Sequence, residues 1–256
     1  MRFVFLGAGS IANRCLDLYR QKFTDEHALV GLVAPLDLLA KVREGKSPSG
    51  LDVAELELSE RDRNEPALKQ LIKSTFPDFI VSVQYPWILS ETVIQMTGNR
   101  VINLHNAKLP DYRGHNSLSY EIINGEKVHT STLHWIVKEV DRGNELMTKV
   151  MDIYHDDTAY SLWKRSIESC VGLFDCLLAN CHRLVPAMPG KPIPDGGRYY
   201  SKKDIQALKI ISADAAVEDV DRIARAFWFP PHEPAYFMVE GRKLYVMPNT
   251  FAYPQV

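Results

Sequence analysis

Three residues stand at spacings that could move an acyl group: Asn103, His105 and Asp141. Asn103 and His105 are two apart in "RVINLH", an apolar run that reads as a strand, so their side chains share a face. At the carboxyl end of a parallel strand, that face opens on the crevice where α/β sheets bind ligands. An amide NH₂ there can donate to a developing oxyanion, and an imidazole can shuttle or donate a proton near neutral pH. Asp141 lies 36 residues beyond His105 (141 − 105), at a glycine-containing turn. It supplies the carboxylate that would hold the imidazole or receive a proton. The same residues also suit a plainer role, as a hydrogen-bonded His and Asn closing a strand end and an Asp in an ordinary turn.

The elements that must position them alternate. "RFVFLGAG" reads as a strand ending at a glycine turn, "SIANRCLDLYRQKF" as a helix with Ile11, Cys15, Leu18 and Tyr19 on one stripe, and "ALVGLVA" as a second strand. Residues 41 to 60, punctuated by Ser47-Pro48-Ser49-Gly50, read as a loop. A helix carrying Leu68, Leu71 and Ile72 follows, then the strand "DFIVSVQY", a short helix "WILSETVIQMT" and "RVINLH". This alternation predicts an α/β fold with a doubly wound, Rossmann-like parallel sheet.

Beyond residue 114 the pattern changes. "SLSYEIING" reads as a helix, "KVHTSTLHWIV" and "NELMTKVMDIY" as strands, and "TAYSLWKRSIESCVGLFDCLLANCHRLV" as a long helix capped by Asp157 or Thr158. Pro186, Pro189, Pro192 and Pro194, with Gly190, Gly196 and Gly197, mark the way out of the main domain. The chain is therefore expected to divide into residues 1–185 and 186–256. The second part carries the amphipathic helix "AAVEDVDRIARAFWF" and a hairpin, "PAYFMVEGRKLYVM", turning at Glu240-Gly241.

Composition narrows the classes. The apolar fraction of 46% and charged fraction of 24% are those of a soluble globular protein. A formal net charge of −2 gives no field that would draw the chain to nucleic acid or anionic lipid. No apolar run approaches the ~18 residues of a membrane span, and "MRFVFLGAGS" is unlike a secretory leader. Cys15, Cys170, Cys176 and Cys181 lack CxxC spacing and read as buried thiols, which suits the reducing cytoplasm. His129 and His134, five apart on a strand, point to opposite faces and lack a third ligand, so no metal is expected.

"GAGSIA" matches a loose dinucleotide fingerprint through Gly7, Gly9 and Ala12. The full fingerprint needs an acid at the end of the second strand to hold the ribose hydroxyls. That strand ends "GLVAPLDLL", with Pro35 in place of an acid and Asp37 beyond it. An NAD(P)-dependent oxidoreductase remains an alternative without its acid, and the turn serves equally as a tight strand-helix connection.

"NLHNAKLPDYRG", followed by "VDRGNEL", resembles the folate-dependent formyltransferases, whose pattern is Asn-x-His, then Leu-Pro-x-Tyr/Phe-Arg-Gly, then Asp-x-Gly. The resemblance covers roughly residues 1 to 185. It implies the formyltransferase fold, an Asn103-His105-Asp141 catalytic set and 10-formyltetrahydrofolate as cosubstrate, with no covalent intermediate and no metal. It also implies a pterin site in the loop Gln84, Tyr85, Pro86, Trp87, Ile88 and Leu89, with Val140 and Gly143 on its other side. Ala107-Lys108 replaces the family's usual Ser-Leu, so the acceptor contacts differ.

The short tail and the slightly negative net charge of the chain disfavour a tRNA acceptor. The tail is most similar to nucleotide-sugar N-formyltransferases, which formylate 4-amino-4,6-dideoxy sugars linked to dTDP or GDP for O-antigen lipopolysaccharide. Glycinamide ribonucleotide or methionyl-tRNA remain alternative acceptors, and a binding protein without turnover is a further alternative. Asn106, Lys108, Arg113, His115, Asn116, Arg198, Tyr199 and Tyr200 are candidates to hold the nucleotide sugar, although each suits a solvated or packing role equally. Lys202 and Trp228 are further candidates of the same kind. The apolar strands of the hairpin are expected to form a homodimer interface.

Overall fold

A computed structural model describes residues 1–44, 53–58 and 64–248. Its first part alternates as the sequence predicts, with α2 and β3 as two elements beyond that expectation: β1 (Arg2–Gly7), α1 (Gly9–Lys22), β2 (Ala28–Ala34), α2 (Leu36–Glu44), β3 (Ala54–Glu57), α3 (Glu65–Thr75), β4 (Phe79–Val83), α4 (Glu91–Gln95) and β5 (Val101–His105). Next come β6 (Tyr112–Gly114), α5 (Ser117–Ile123), β7 (Val128–Trp135), β8 (Glu145–Asp152) and the long α6 (Ala159–Ala187). The tail holds β9 (Arg198–Tyr200), α7 (Asp204–Ala207), β10 (Ile210–Ile211), α8 (Val217–Phe227), β11 (Tyr236–Val239) and β12 (Arg242–Tyr245).

Seven strands form one sheet in the order β3-β2-β1-β4-β5-β7-β8. The first five are parallel, and β7 runs antiparallel to β5. Strand β1 is an inner strand, and Phe3 to Leu6 are wholly buried, as a strand covered on both faces must be. Phe5 meets Phe174 of α6 edge to face, with ring centroids 5.9 Å apart. Leu68, Leu71 and Ile72 of α3 pack with Val4, Leu6 and Ile80 in the same core.

The segment read as a loop from residue 41 to 60 differs. It contains the end of α2 and the edge strand β3. That strand reads "AELE" and is only partly buried, so it lacks the apolar run that marks the inner strands. Ser47-Pro48-Ser49-Gly50 lies outside the described residues. No disulfide joins the four cysteines; Cys15, Cys170 and Cys181 are buried, whereas Cys176 is exposed, against expectation. Burial raises all three buried thiols, Cys170 to about 12.

The chain forms two compact units that interleave along the sequence. Met1–His105, Ser131–Lys149 and Ser169–Pro194 make the first; Asn106–Thr130, Val150–Glu168 and Asp195–Val256 make the second. This differs from a division after residue 185, which falls in the last turn of α6. The chain leaves the first unit after β5 and returns within β7. The second unit has its own core, including Tyr112, Leu118, Ile122, Leu162, Tyr200 and Phe227. Its hairpin β11–β12 turns through Glu240 and Gly241, both at positive φ, the geometry of the tight two-residue turn expected there. Thr158 caps α6 by accepting from the Ser161 backbone N–H at 3.1 Å.

The glycine turn before α1 is filled from within. Gly9 has φ +73°, and a Cβ there would stand 2.9 Å from Gln84 Oε1. That oxygen accepts a hydrogen bond from the Ile11 backbone N–H at 3.0 Å. One N–H of the helix end where a dinucleotide fold seats its pyrophosphate is thus taken by an amide. Among the described residues no helix is long and apolar enough to cross a membrane. Gln84→Ala is expected to cost about 0.5–2 kcal/mol of stability, like other lost helix caps. Chemical denaturation measures it, and calorimetry with NAD or NADP should show no binding to the unmodified protein.

Candidate functional site

A histidine of β7, His134, organises the polar end of β5. Register pairs Asn103 of β5 with His134 of β7 and His105 with Thr132. His134 is 1% exposed. Its Nδ1 lies 2.9 Å from the Trp135 carbonyl, which can only accept, so Nδ1 carries the proton and Nε2 the lone pair. The Asn103 amide donates to that Nε2 at 3.1 Å. Asp141 approaches the same nitrogen, with Oδ1 3.6 Å away. His105 presents its ring edge-on to His134, with centroids 6.3 Å apart. His134 therefore gathers the three residues singled out by type and spacing. Burial pulls its pKa down to about 4, against the opposing pull of the Asp141 carboxylate. It serves as a neutral acceptor that fixes the Asn103 amide.

The turn carrying Asp141 is shaped by two backbone constraints. Asp141 itself sits at φ +53°, a left-handed conformation that non-glycine residues adopt rarely. Gly143 packs so closely that a Cβ would stand 1.8 Å from the Trp135 carbonyl oxygen, the same oxygen that accepts from His134. The glycine of "DRG" is thus a close-approach residue, and it binds the Asp141 turn to the carbonyl that fixes the His134 tautomer.

The expected pterin loop lies in the same unit. Tyr85, Trp87, Ile88 and Leu89 line a shallow recess with Glu65, Leu68, Ser90 and Val93. Ile88 is 65% exposed and Val140 39%, so both present apolar surface to solvent. Pro86 is exposed, and Gln84 is engaged at the start of α1. Gly143 serves the Asp141 turn rather than presenting a side chain.

The expected acceptor residues belong to the second unit, where two distant segments meet. Strand β6, from "LPDYRG", pairs in parallel with β9, from "GGRYY", which places Arg113 beside Tyr199 and Tyr112 beside Arg198. Gly197 makes the approach feasible: a Cβ there would stand 2.0 Å from the Pro110 carbonyl oxygen. Arg113 reaches the carbonyls of Gly196 and Gly197 at 3.4 and 3.5 Å. Tyr199 is half exposed, whereas Tyr200 is buried against the rings of Tyr112 and Tyr120 and belongs to the core. Lys108 pairs with Asp111 at 2.8 Å on the surface, and His115 and Asn116 are exposed.

Asn106 is held on both sides of its amide. Its NH₂ donates to Ser166 Oγ at 2.8 Å, and its carbonyl oxygen accepts from His129 Nε2 at 3.0 Å. His129 Nδ1 in turn meets Glu121 Oε2 at 2.8 Å, with both side chains essentially inaccessible. The Asn106 amide is thus committed to the protein interior, unlike an amide presented to a sugar. The five-residue spacing of His129 and His134 does not by itself reveal the polar networks that each joins. The available signal was "HTSTLH", an uncharged polar run in a strand, whose residues are all buried.

Comparison with known proteins gives a consistent family. Residues 1–170 match the family described as Formyl transferase. The chain is 30% identical over 171 residues to a GDP-perosamine N-formyltransferase of Brucella melitensis, a match covering 66% of this chain and 64% of that protein. It shares its fold with a 4-N formyltransferase from Francisella tularensis (TM-score 0.71, 17% identity, 96% of each chain). It also shares it with an N-formyltransferase from Helicobacter canadensis in complex with folinic acid and dTDP-3-aminofucose (TM-score 0.70, 18% identity, 94% of this chain and 85% of that one).

The lowered pKa of His134 has a signed consequence. Between its ordinary value near 6.5 and its folded value of about 4, the unfolded chain takes a proton that the fold refuses. This contribution to stability is therefore complete above about pH 6.5 and is lost as pH drops toward 4, on the order of 3 kcal/mol. His27, also lowered by burial, adds in the same direction. Thermal melts across this range should show the loss, and His134→Gln should flatten it.

Proposed function

The chain belongs to the formyl transferase family, and on that premise we propose that it transfers the formyl group of 10-formyltetrahydrofolate to the amine of a nucleotide-linked 4-amino-4,6-dideoxy sugar. The observation that carries this reading is the fixed Asn103 amide beside His134, with Asp141 and His105 around the same imidazole. The match to the Brucella protein spans 64% of that protein, and the GDP-perosamine for which that protein is named motivates the choice of acceptor here.

The chemistry follows from the groups present. The acceptor nitrogen forms a bond to the formyl carbon, and the carbonyl electrons move onto oxygen. One N–H of Asn103 donates to Nε2 of His134; the other has no partner among the described residues and is suited to meet that oxyanion. His105 lies on the same strand face and donates to the same oxygen or to the departing nitrogen. The bond from the formyl carbon to folate nitrogen then breaks, and that nitrogen takes a proton. Asp141 receives the proton released by the amine. The Tyr85–Leu89 recess, with exposed Ile88, offers apolar surface for the pterin.

Arg113, Arg198 and Tyr199 on the β6–β9 pair are the candidates to hold the nucleotide, dTDP or GDP, by cation and aromatic face. We place the reaction in the cytoplasm, as a step in building O-antigen lipopolysaccharide. The hairpin leaves Met238, Leu244 and Tyr245 about half exposed, and a second copy of the chain is the proposed cover. The test is incubation with 10-formyltetrahydrofolate and a panel of dTDP- and GDP-linked amino sugars. One sugar should gain the mass of a formyl group in place of hydrogen; no gain with any nucleotide sugar would reject the assignment.

A further inference from the structure

A second cluster of chemistry-bearing side chains lies in the first unit and takes no part in formyl transfer. The turn between α1 and β2 sets His27 against Cys181 and His182 of α6. The potential ligand atoms of the three all lie within 4.8 Å of one another. His27 and Cys181 are buried, and His182 is exposed, which gives the cluster a route to solvent.

The orientation of His27 is informative. Its Nε2 stands 2.9 Å from the Leu178 carbonyl, so that nitrogen carries the proton and Nδ1 presents a lone pair. Cys181 Sγ lies 3.9 Å from Nδ1 and 3.5 Å from Nε2. The Phe23 ring stacks on the imidazole at 5.8 Å and fixes its plane. A histidine with one N–H tied to a backbone carbonyl, its other nitrogen near a thiol and a second imidazole, has the outer-shell support of a metal ligand.

From this arrangement we propose that His27 Nδ1, Cys181 Sγ and His182 form a site for a borderline-soft divalent cation of the zinc type. One thiolate and two imidazoles suit zinc or cobalt, whereas calcium and magnesium want oxygen. On binding, the thiol proton leaves to solvent, and sulfur and two ring nitrogens each give a lone pair. Solvent completes the tetrahedron. Two such ligands on one zinc stand about 3.5 Å apart; Sγ stands nearer Nε2 than Nδ1, so binding at Nδ1 turns the Cys181 side chain to another χ1 rotamer, toward the Nδ1 lone pair. The Met1 amino group, 3.5 Å from Nδ1, makes a long contact that the cation replaces. The bound ion ties the turn before β2 to α6 and stabilises the fold by mass action.

The test uses the full chain, stripped of metal and titrated with Co²⁺ as a spectroscopic probe and Zn²⁺ as competitor. The expected result is one Co²⁺ per chain, with thiolate-to-cobalt charge transfer and tetrahedral visible bands that Zn²⁺ bleaches. Cys181→Ser should lose the charge-transfer band, while Cys176→Ser keeps it. His182→Ala, altered at an exposed position, should bind about tenfold or more weakly. No thiolate band in the unmodified protein, its retention in Cys181→Ser, or unchanged affinity in His182→Ala would overturn the proposal. None of these readouts depends on formyl transfer.

Discussion

The structure of this site depends on one buried, neutral imidazole. A side-chain amide has freely exchangeable roles unless a partner fixes which end donates. His134 fixes Asn103 because its own tautomer is set by the Trp135 carbonyl, leaving Nε2 able only to accept. Burial keeps the ring uncharged, since a proton there would have to be held away from water. The same carbonyl leaves no room for a side chain at residue 143, so tautomer and turn geometry share one atom. Asp141 is then held in a left-handed conformation that costs strain.

The acceptor-binding candidates separate into different physical classes once burial is known. Tyr200 fills a ring cluster, and Asn106 is spent on Ser166 and His129. Glu121 and His129 form a pair almost wholly removed from water, which is stable only while both members remain. Arg113, Arg198 and Tyr199 keep reachable surface, and the parallel pairing of β6 with β9 explains why residues 85 positions apart (198 − 113) belong to one group.

Periodicity in the sequence was sufficient for the inner strands, because β1, β2 and β4 are mostly apolar runs and α3 carries a clean stripe. It failed at β3, where an edge strand buries little and reads as polar. The spacing of Asn103 and His105 was legible because alternate residues of a strand share a face. His134 was not, since its role depends on the antiparallel register of β7 against β5, a non-local pairing that no local pattern encodes. The glycine turn "GAGS" was legible as a turn, but its filling by Gln84 from the far end of β4 required the fold.

Turnover of Asn103→Ala and Asp141→Asn at saturating 10-formyltetrahydrofolate and acceptor tests the catalytic assignment most directly. Loss of one oxyanion donor should lower kcat of Asn103→Ala about 10²–10³-fold, and Asp141→Asn should fall with it while both variants still bind folate. Near-full turnover in either variant would contradict the account.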